Sequence, residues 1–484
     1  MTNAIHTTDL NPTELVLGGA RQPAHSTARI PLVNPATQEQ FGSAIDGDAQ
    51  DVDAAVRAAE AAAPAWAALT PAQRAEFVIR LADELDKRAE EIAQLLTKEN
   101  GLPISVARGH MAATPREYRY FATLAEKFEP EERIETGTVD ALIRRVPVGV
   151  TAIIVAWNGP QPLVARKLGP ALVAGCTVVI KPAAETSLDA YPLMDAIEAA
   201  GIPAGVVNLV TGGRETGAAV VAHPGVRKIA FTGSTRAGIQ IGEECARQFK
   251  RVTLELGGKS AGILLDDVDL EAFRPWIFGA CLPQSGQVCR SLTRILAPAS
   301  RYEEVVSFIA DALSQATVGD PTEPTTVFGP IVNKAQYDKV IGYIQTGLEE
   351  GAKLVVGGTE KPEGLENGYF VAPTLFRDVR NDMRIVREEI FGPVLTIMPY
   401  ETVDEAIAIA NDSEYGLAGG VFSPDRERAT EVARRIEAGS IGVNTAAMPL
   451  EAPFGGFKKS GIGREMGPRA VDPYLEYQTI YRAG

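Results

Sequence analysis

Apolar residues recur at helical spacing through residues 51–127, and the pattern changes at Val150. Within the first region, Thr70-Pro71-Ala72-Gln73 reads as a capping box with proline at the first helical position. Val78, Leu81, Leu85, Ile92 and Leu96 come next on one face, and Asn100-Gly101 supplies a stop. Thr114-Pro115-Arg116-Glu117 has the form of a second helix start. From Val150, short apolar runs alternate with helical stretches. The runs are Thr151–Ala156, Thr177–Lys181, Val206–Val210, Lys228–Phe231 and Val252–Leu256, and the helices include Pro162–Ala174, Ser187–Ala200 and Thr235–Gln248. Unalternated apolar strands separated by helices predict a parallel sheet covered on both faces. A second series, Ala261–Leu265, Arg294–Ala297, Val394–Pro399, Gly419–Phe422 and Ser440–Val443, predicts another. The expected fold class is α/β, with two domains built on open parallel sheets.

Two β-rich segments belong to neither series, Glu131–Pro147 and Tyr474–Tyr481. With no local partner, each is expected to pair at a sheet edge or across a subunit interface.

The chain has 484 residues, about three domains' worth. Its 47 basic and 62 acidic side chains leave a net charge of −15, and the densest basic stretch is only Arg144-Arg145. That argues against a nucleic-acid or anionic-membrane partner. The most apolar run, Val148–Trp157, is half what a membrane helix needs, and Met1–Leu10 lacks the order of a signal peptide. Four cysteines are too few for a disulfide framework, so a cytoplasmic location is expected.

Among these cysteines, Cys289 lies in the polar, glycine-containing Ser285-Gly286-Gln287-Val288-Cys289-Arg290, where a nucleophile is a better reading than a core residue. Cys176 and Cys245 read as structural, and Cys281 fits either description. None of His6, His25, His110 and His223 stands in a motif, so a carboxylate is the more natural base. Glu255 closes the run Val252–Leu256 and would lie at the C-terminal edge of the first sheet, where open α/β folds bind ligands. Its bland alternatives are a helix cap or a pair with Lys259. Phe231-Thr232-Gly233-Ser234 turns from strand to helix and offers free N–H groups to a pyrophosphate, as does Gly212-Gly213-Arg214. Metal-ligand spacings and a Walker lysine are both missing from the sequence.

Taken together, these segments resemble the aldehyde dehydrogenase superfamily. Trp157-Asn158, Lys181-Pro182, Phe231–Thr235, Leu254–Lys259 and Gly286–Cys289 come in that family's order and spacing. So do Glu388–Pro393, Pro453–Gly456 and Ser460-Gly461, and the likeness runs from about Leu32 to the C-terminus. The resemblance implies a Rossmann-like cofactor domain (1–127 and 148–255), a catalytic domain (256–461) and oligomerisation strands (128–147 and 462–484) that build a homodimer or homotetramer. It implies that Cys289 forms a thiohemiacetal and then a thioester. Asn158 and the Cys289 N–H would hold the oxyanion, and Glu255 would activate water. Lys181 and Glu389 would hold the riboses of NAD, Phe391 the nicotinamide, and Gly233-Ser234 the pyrophosphate. Ile154, Val155, Trp157, Ala184, Gly213, Gly217, Phe231, Leu256 and Gly257 match other cofactor-lining positions.

Departures from the pattern bear on specificity. Ala156 replaces a usual proline, and Ala184 stands where many NAD enzymes carry a ribose-binding Glu, which makes NADP a second candidate cofactor, with Arg214 a helper. By position the aldehyde tunnel takes Gly159, Pro162, Leu163, Arg166, Pro283, Val288, Arg290, Met448 and Phe454. Gly159 replaces a frequent aromatic and suggests a roomier pocket. Arg166 stands where semialdehyde-oxidising members often have Arg, and either receives a substrate carboxylate or faces another loop. The leading reading is a small-molecule aldehyde oxidised to its acid. The alternatives are a semialdehyde dehydrogenase using Arg166, a coenzyme-A-acylating member, which Glu255 disfavours, and a catalytically silent relative.

Overall fold

A computed structural model of the chain describes residues 8–136 and 138–483, so the N-terminal stretch with His6 lies outside it. Three long helices open the α-rich region, Ala49–Ala68, Pro71–Asn100 and Ile104–Thr123. The second begins on the Thr70 capping box, in which Gln73 answers the Thr70 N–H, and stops at Gly101 in the left-handed conformation. The third does not begin at Pro115. It starts eleven residues earlier and runs through that proline. Tertiary burial overrides the missing N–H, because Met111, Tyr118 and Phe121 anchor both turns in the core. Thr114 also turns its hydroxyl back to the His110 carbonyl at 2.9 Å instead of capping a new helix.

The first sheet runs Ala20–Pro23, Glu14–Leu17, Val207–Leu209, Val178–Lys181, Thr151–Ile154, Lys228–Thr232, Arg251–Glu255, Gly461–Ile462. Its five central strands are parallel, and its outer pairs are antiparallel. The second runs Lys353–Val356, Thr374–Arg377, Val394–Tyr400, Arg294–Pro298, Ala261–Leu264, Ala418–Phe422, Ser440–Val443, all parallel except the first. These two sheets bear out the expected α/β class, while the N-terminal strands and Lys353–Arg377 add pairings that the two series did not contain. The β-rich segments left without partners find each other. Leu475–Ala483 pairs along its length with Val139–Pro147, and Glu131–Ile134 completes a three-stranded sheet. Among the described residues, no helix is long and apolar enough to cross a membrane.

One contact between helices leaves no room for a larger side chain. Pro160–Ala174 packs on Ile104–Thr123 where Gly169 meets Phe121. A Cβ on Gly169 would come within 2.6 Å of the Phe121 ring, and Phe121 is fully buried. Gly169→Ala is therefore expected to cost about 1–3 kcal/mol by overpacking, read as a lower thermal unfolding midpoint. An unchanged midpoint would show that the two helices separate freely.

Candidate active site

The C-terminal ends of the central parallel strands open into a cavity of about 770 Å³. Its wall contains every candidate cofactor residue: Ile154, Val155, Trp157, Lys181, Ala184, Gly213, Gly217, Phe231, Gly233, Ser234, Leu256, Gly257, Glu389 and Phe391. Asn158, Leu163 and Cys289 share it. At one end Ser234 caps the 13-residue helix Thr235–Arg247 by accepting from the Ala237 N–H at 3.3 Å. Lys181 Nζ donates to the carbonyls of Pro182 (2.7 Å) and Gly212 (2.6 Å), and burial pulls its ammonium down to about 8. Glu389 accepts from the Gly258 N–H at 2.9 Å, and burial raises its carboxyl against the pull of Lys339 and Lys259. Two glycines bring these parts together. A Cβ on Gly257 would meet the Glu389 carboxylate at 2.6 Å, and one on Gly258 would meet the Cys289 carbonyl at 2.4 Å.

Cys289 ends a strained loop. Gln284, Ser285 and Gly286 take positive φ of 51°, 57° and 71° in succession, a conformation that persists only when fixed from outside. Here Ser285 Oγ donates to the Gly329 carbonyl at 2.8 Å, and Gln287 Oε1 accepts from the Val332 N–H at 3.1 Å. Asn158 Nδ2 donates to the Gln287 carbonyl at 2.9 Å, while Asn100 Nδ2 holds the Trp157 carbonyl at 2.6 Å. Phe391, also at positive φ (61°), stands edge-on to Trp157 with ring centroids 5.3 Å apart. The Cys289 thiol is pushed up to about 12, by burial first and then by Glu389 and Glu255, with Arg290 and Arg166 acting the other way. Cys176, Cys245 and Cys281 are buried, whereas Cys289 is half-buried.

Glu255 does not reach the cavity wall, although Leu256 and Gly257, the next two residues, do. It is 4% exposed, and neither carboxylate oxygen has a hydrogen-bond partner among the described residues. Burial raises it well above the carboxylate range, Glu465 adds to the rise, and Lys167 opposes it. Lys167 is itself fully buried, paired with Glu465 at 2.8 Å and donating to Thr232 Oγ1 at 2.6 Å. Lys259 is 2% exposed but shares no hydrogen bond with Glu255, and the Arg251–Glu255 strand ends without capping a helix.

The candidate tunnel residues separate into groups. Arg290, Met448 and Phe454 line a second cavity of about 360 Å³, where Arg290 donates to the Ala446 carbonyl at 2.8 Å. Leu163 lines the larger one. Gly159 and Arg166 line neither. A Cβ on Gly159 would touch His110 at 3.6 Å and Pro162 at 3.7 Å, so the room beside it is bounded by the imidazole. His110 Nε2 accepts from Gln284 Nε2 at 2.7 Å, and burial pulls the imidazole down to about 4. Arg166 faces Glu117. Its Nε and Nη2 reach both carboxylate oxygens, with the shortest contact at 2.7 Å. Sequence reasoning did not single out Glu117, Lys167 or Glu465. Each makes its pair across 49 to 298 residues, and a lone buried charge leaves no local pattern to detect.

Two α/β layers thus bring a loop cysteine to one cavity at the ends of the parallel strands. A sequence model described as the aldehyde dehydrogenase family matches residues 22–480, and the chain belongs to that family. It is 47% identical to the geranial dehydrogenase of Castellaniella defragrans, over 97% of this chain and 98% of that one. It is 42% identical to the putative aldehyde dehydrogenase DhaS of Bacillus subtilis, over 97% and 95%. Among solved structures it resembles a cysteine-to-alanine variant of Pseudomonas syringae aldehyde dehydrogenase C complexed with NAD+ and octanal. That match has a TM-score of 0.95 and 41% identity over 98% of each chain. Mycobacterium tuberculosis aldehyde dehydrogenase complexed with NAD+ matches with a TM-score of 0.95 and 42% identity, again over 98% of each.

Proposed function

We propose that this chain oxidises uncharged aldehydes to carboxylic acids with NAD, using Cys289 as nucleophile. The observation that carries this reading is the meeting of Cys289 and Asn158 with the fourteen cofactor candidates in one cavity. The cavity fits a dinucleotide. Its volume suits such a ligand, a capped helix N-terminus opens on it for a pyrophosphate, and Lys181 and Glu389 offer donors and acceptors for ribose hydroxyls. When bound, the nicotinamide supplies the acceptor for the aldehyde hydride. The Cys289 thiol gives its proton to solvent and the sulfur bonds the carbonyl carbon, and Asn158 Nδ2 with the Cys289 N–H stabilises the oxyanion. Loss of the hydride leaves a thioester on Cys289. The Glu255 carboxylate, made more basic by burial, then takes a proton from the water that cleaves the thioester. The acid departs, and the proton held by Glu255 returns to the sulfur to restore the thiol.

Four finer readings accompany this. Ala184 carries no carboxylate, the neighbouring Glu185 lines the same cavity but is tied to Asn333 Nδ2 at 3.0 Å, and Arg214 lines it too, so a 2′-phosphate is accepted as well as a hydroxyl. The second cavity is lined by Leu292, Ile441, Met448, Pro449 and Phe454 and suits a hydrocarbon tail. Geranial and octanal, named for the relatives, are uncharged aldehydes of that kind. The three-stranded sheet exposes Ile134, Tyr477 and Tyr481, which supports pairing with further copies as a homodimer or homotetramer. Four free thiols fit a reducing compartment such as the cytoplasm.

Cys289 and Glu255 both act deprotonated, and both lie above their ordinary values. Wild-type kcat/KM is accordingly expected to climb as pH rises from about 6 to about 9 and to fall on acidification. Cys289→Ala is expected to bind NAD yet oxidise nothing. Aldehyde oxidation at the wild-type rate by that variant would defeat the mechanism. A second assay compares cofactors, with NADP expected to support turnover comparable to NAD. An NADP rate at background would overturn the reading of Ala184.

A further inference from the structure

Glu117 and Arg166 take no part in the chemistry assigned to Cys289, yet they form a largely buried ion pair beside it. The helix Pro160–Ala174 presents Leu163, Arg166 and Lys167 on one face, at spacings of three and four. Leu163 lines the cavity that contains Cys289, and Lys167 reaches Thr232 and Glu465 near Glu255. Arg166 stands between these contacts, close enough for its charge to act on the Cys289 thiol and on His110. Its side chain is 18% exposed, against 4% for Glu117. An arginine fork at this place is a receptor for a planar carboxylate. Here the Nε–Nη2 edge of the fork is already taken, because both atoms donate to the Glu117 carboxylate. The Gly169–Phe121 contact fixes the arrangement, since Gly169 lies three residues beyond Arg166 and Phe121 four beyond Glu117.

We propose that Glu117 is a specificity-determining residue: by occupying Arg166, it shuts out aldehydes that carry a carboxylate and leaves the site to uncharged ones. This rests on the reading of the chain as an aldehyde-oxidising enzyme at Cys289. A substrate carboxylate approaching Arg166 meets the like charge of Glu117, which has already neutralised the guanidinium and taken its Nε–Nη2 edge. Removing the Glu117 charge exposes the fork, and the same site then favours the anionic substrate.

The test compares hexanal with 6-oxohexanoate, two chains of equal length that differ in a terminal carboxylate, with NAD and the full-length protein. In Glu117→Gln, the ratio of kcat/KM for 6-oxohexanoate over hexanal is expected to rise about tenfold or more, the scale of a hydrogen bond to a charged group. In the double variant Glu117→Gln with Arg166→Gln, the ratio returns to the wild-type value. Arg166→Gln alone leaves it no higher than wild type. A ratio unmoved in Glu117→Gln, or a gain that survives in the double variant, overturns the proposal. A selective loss of 6-oxohexanoate turnover in Arg166→Gln also overturns it, because Arg166 would then be receiving the substrate already, and this outcome decides the matter even if Glu117→Gln fails to fold. Wild-type protein that oxidises neither aldehyde defeats the underlying reading. Wild-type protein that oxidises hexanal while the ratio ignores Glu117 defeats only the assignment of that residue.

Discussion

A carboxylate buried without a hydrogen-bond partner is costly in any protein, and Glu255 is the constraint around which this one is arranged. It ends a central strand of the first sheet, so its position is fixed by five-residue pairing with Lys228–Thr232. Its other edge pairs with the short antiparallel strand Gly461–Ile462. Lys167 and Glu465 lie buried nearby as a pair, so the lysine tempers the field at Glu255 without neutralising it. Burial and Glu465 keep the carboxyl raised, as the proposed role of a base requires.

The helix Pro160–Ala174 ties that constraint to the rest of the site. Trp157 and Asn158 immediately precede it, Leu163 meets the cavity, Lys167 reaches into the charged cluster, and Gly169 seats the helix against Phe121. Asn100, at the C-terminal end of a 30-residue helix, holds the Trp157 carbonyl in place. The Cys289 loop is set from the other layer by contacts to residues 329–332, and its left-handed backbone at Gln284 and Ser285 stores strain of about 1–3 kcal/mol at each. The site is thus assembled where two separately built sheets meet.

Much of this was legible in the sequence because it is local. Parallel strands announce themselves as short apolar runs, and the Thr70 box and Gly101 stop are written within a few residues of where they act. The cavity residues were legible through motifs at strand ends, where chemistry and position coincide. What escaped was long-range. Leu475–Ala483 and Val139–Pro147 find each other across the whole chain, and Pro115 resembles a helix start until the burial of its neighbours is known. Arg166 was visible as a residue, but its meaning depends on Glu117, which no spacing rule connects to it. Gly159 suggested open space for the same reason, since only the folded chain brings His110 against it.

The central claim is that carbon chemistry passes through the Cys289 sulfur and is finished by Glu255. The most direct measurement is intact and peptide mass spectrometry of acid-quenched Glu255→Gln after mixing with hexanal and NAD. The account predicts a hexanoyl group on the peptide containing Cys289, formed together with NADH and persisting far longer than in the wild type. NADH production with no acyl group on Cys289, or an acyl group on another residue, would contradict it.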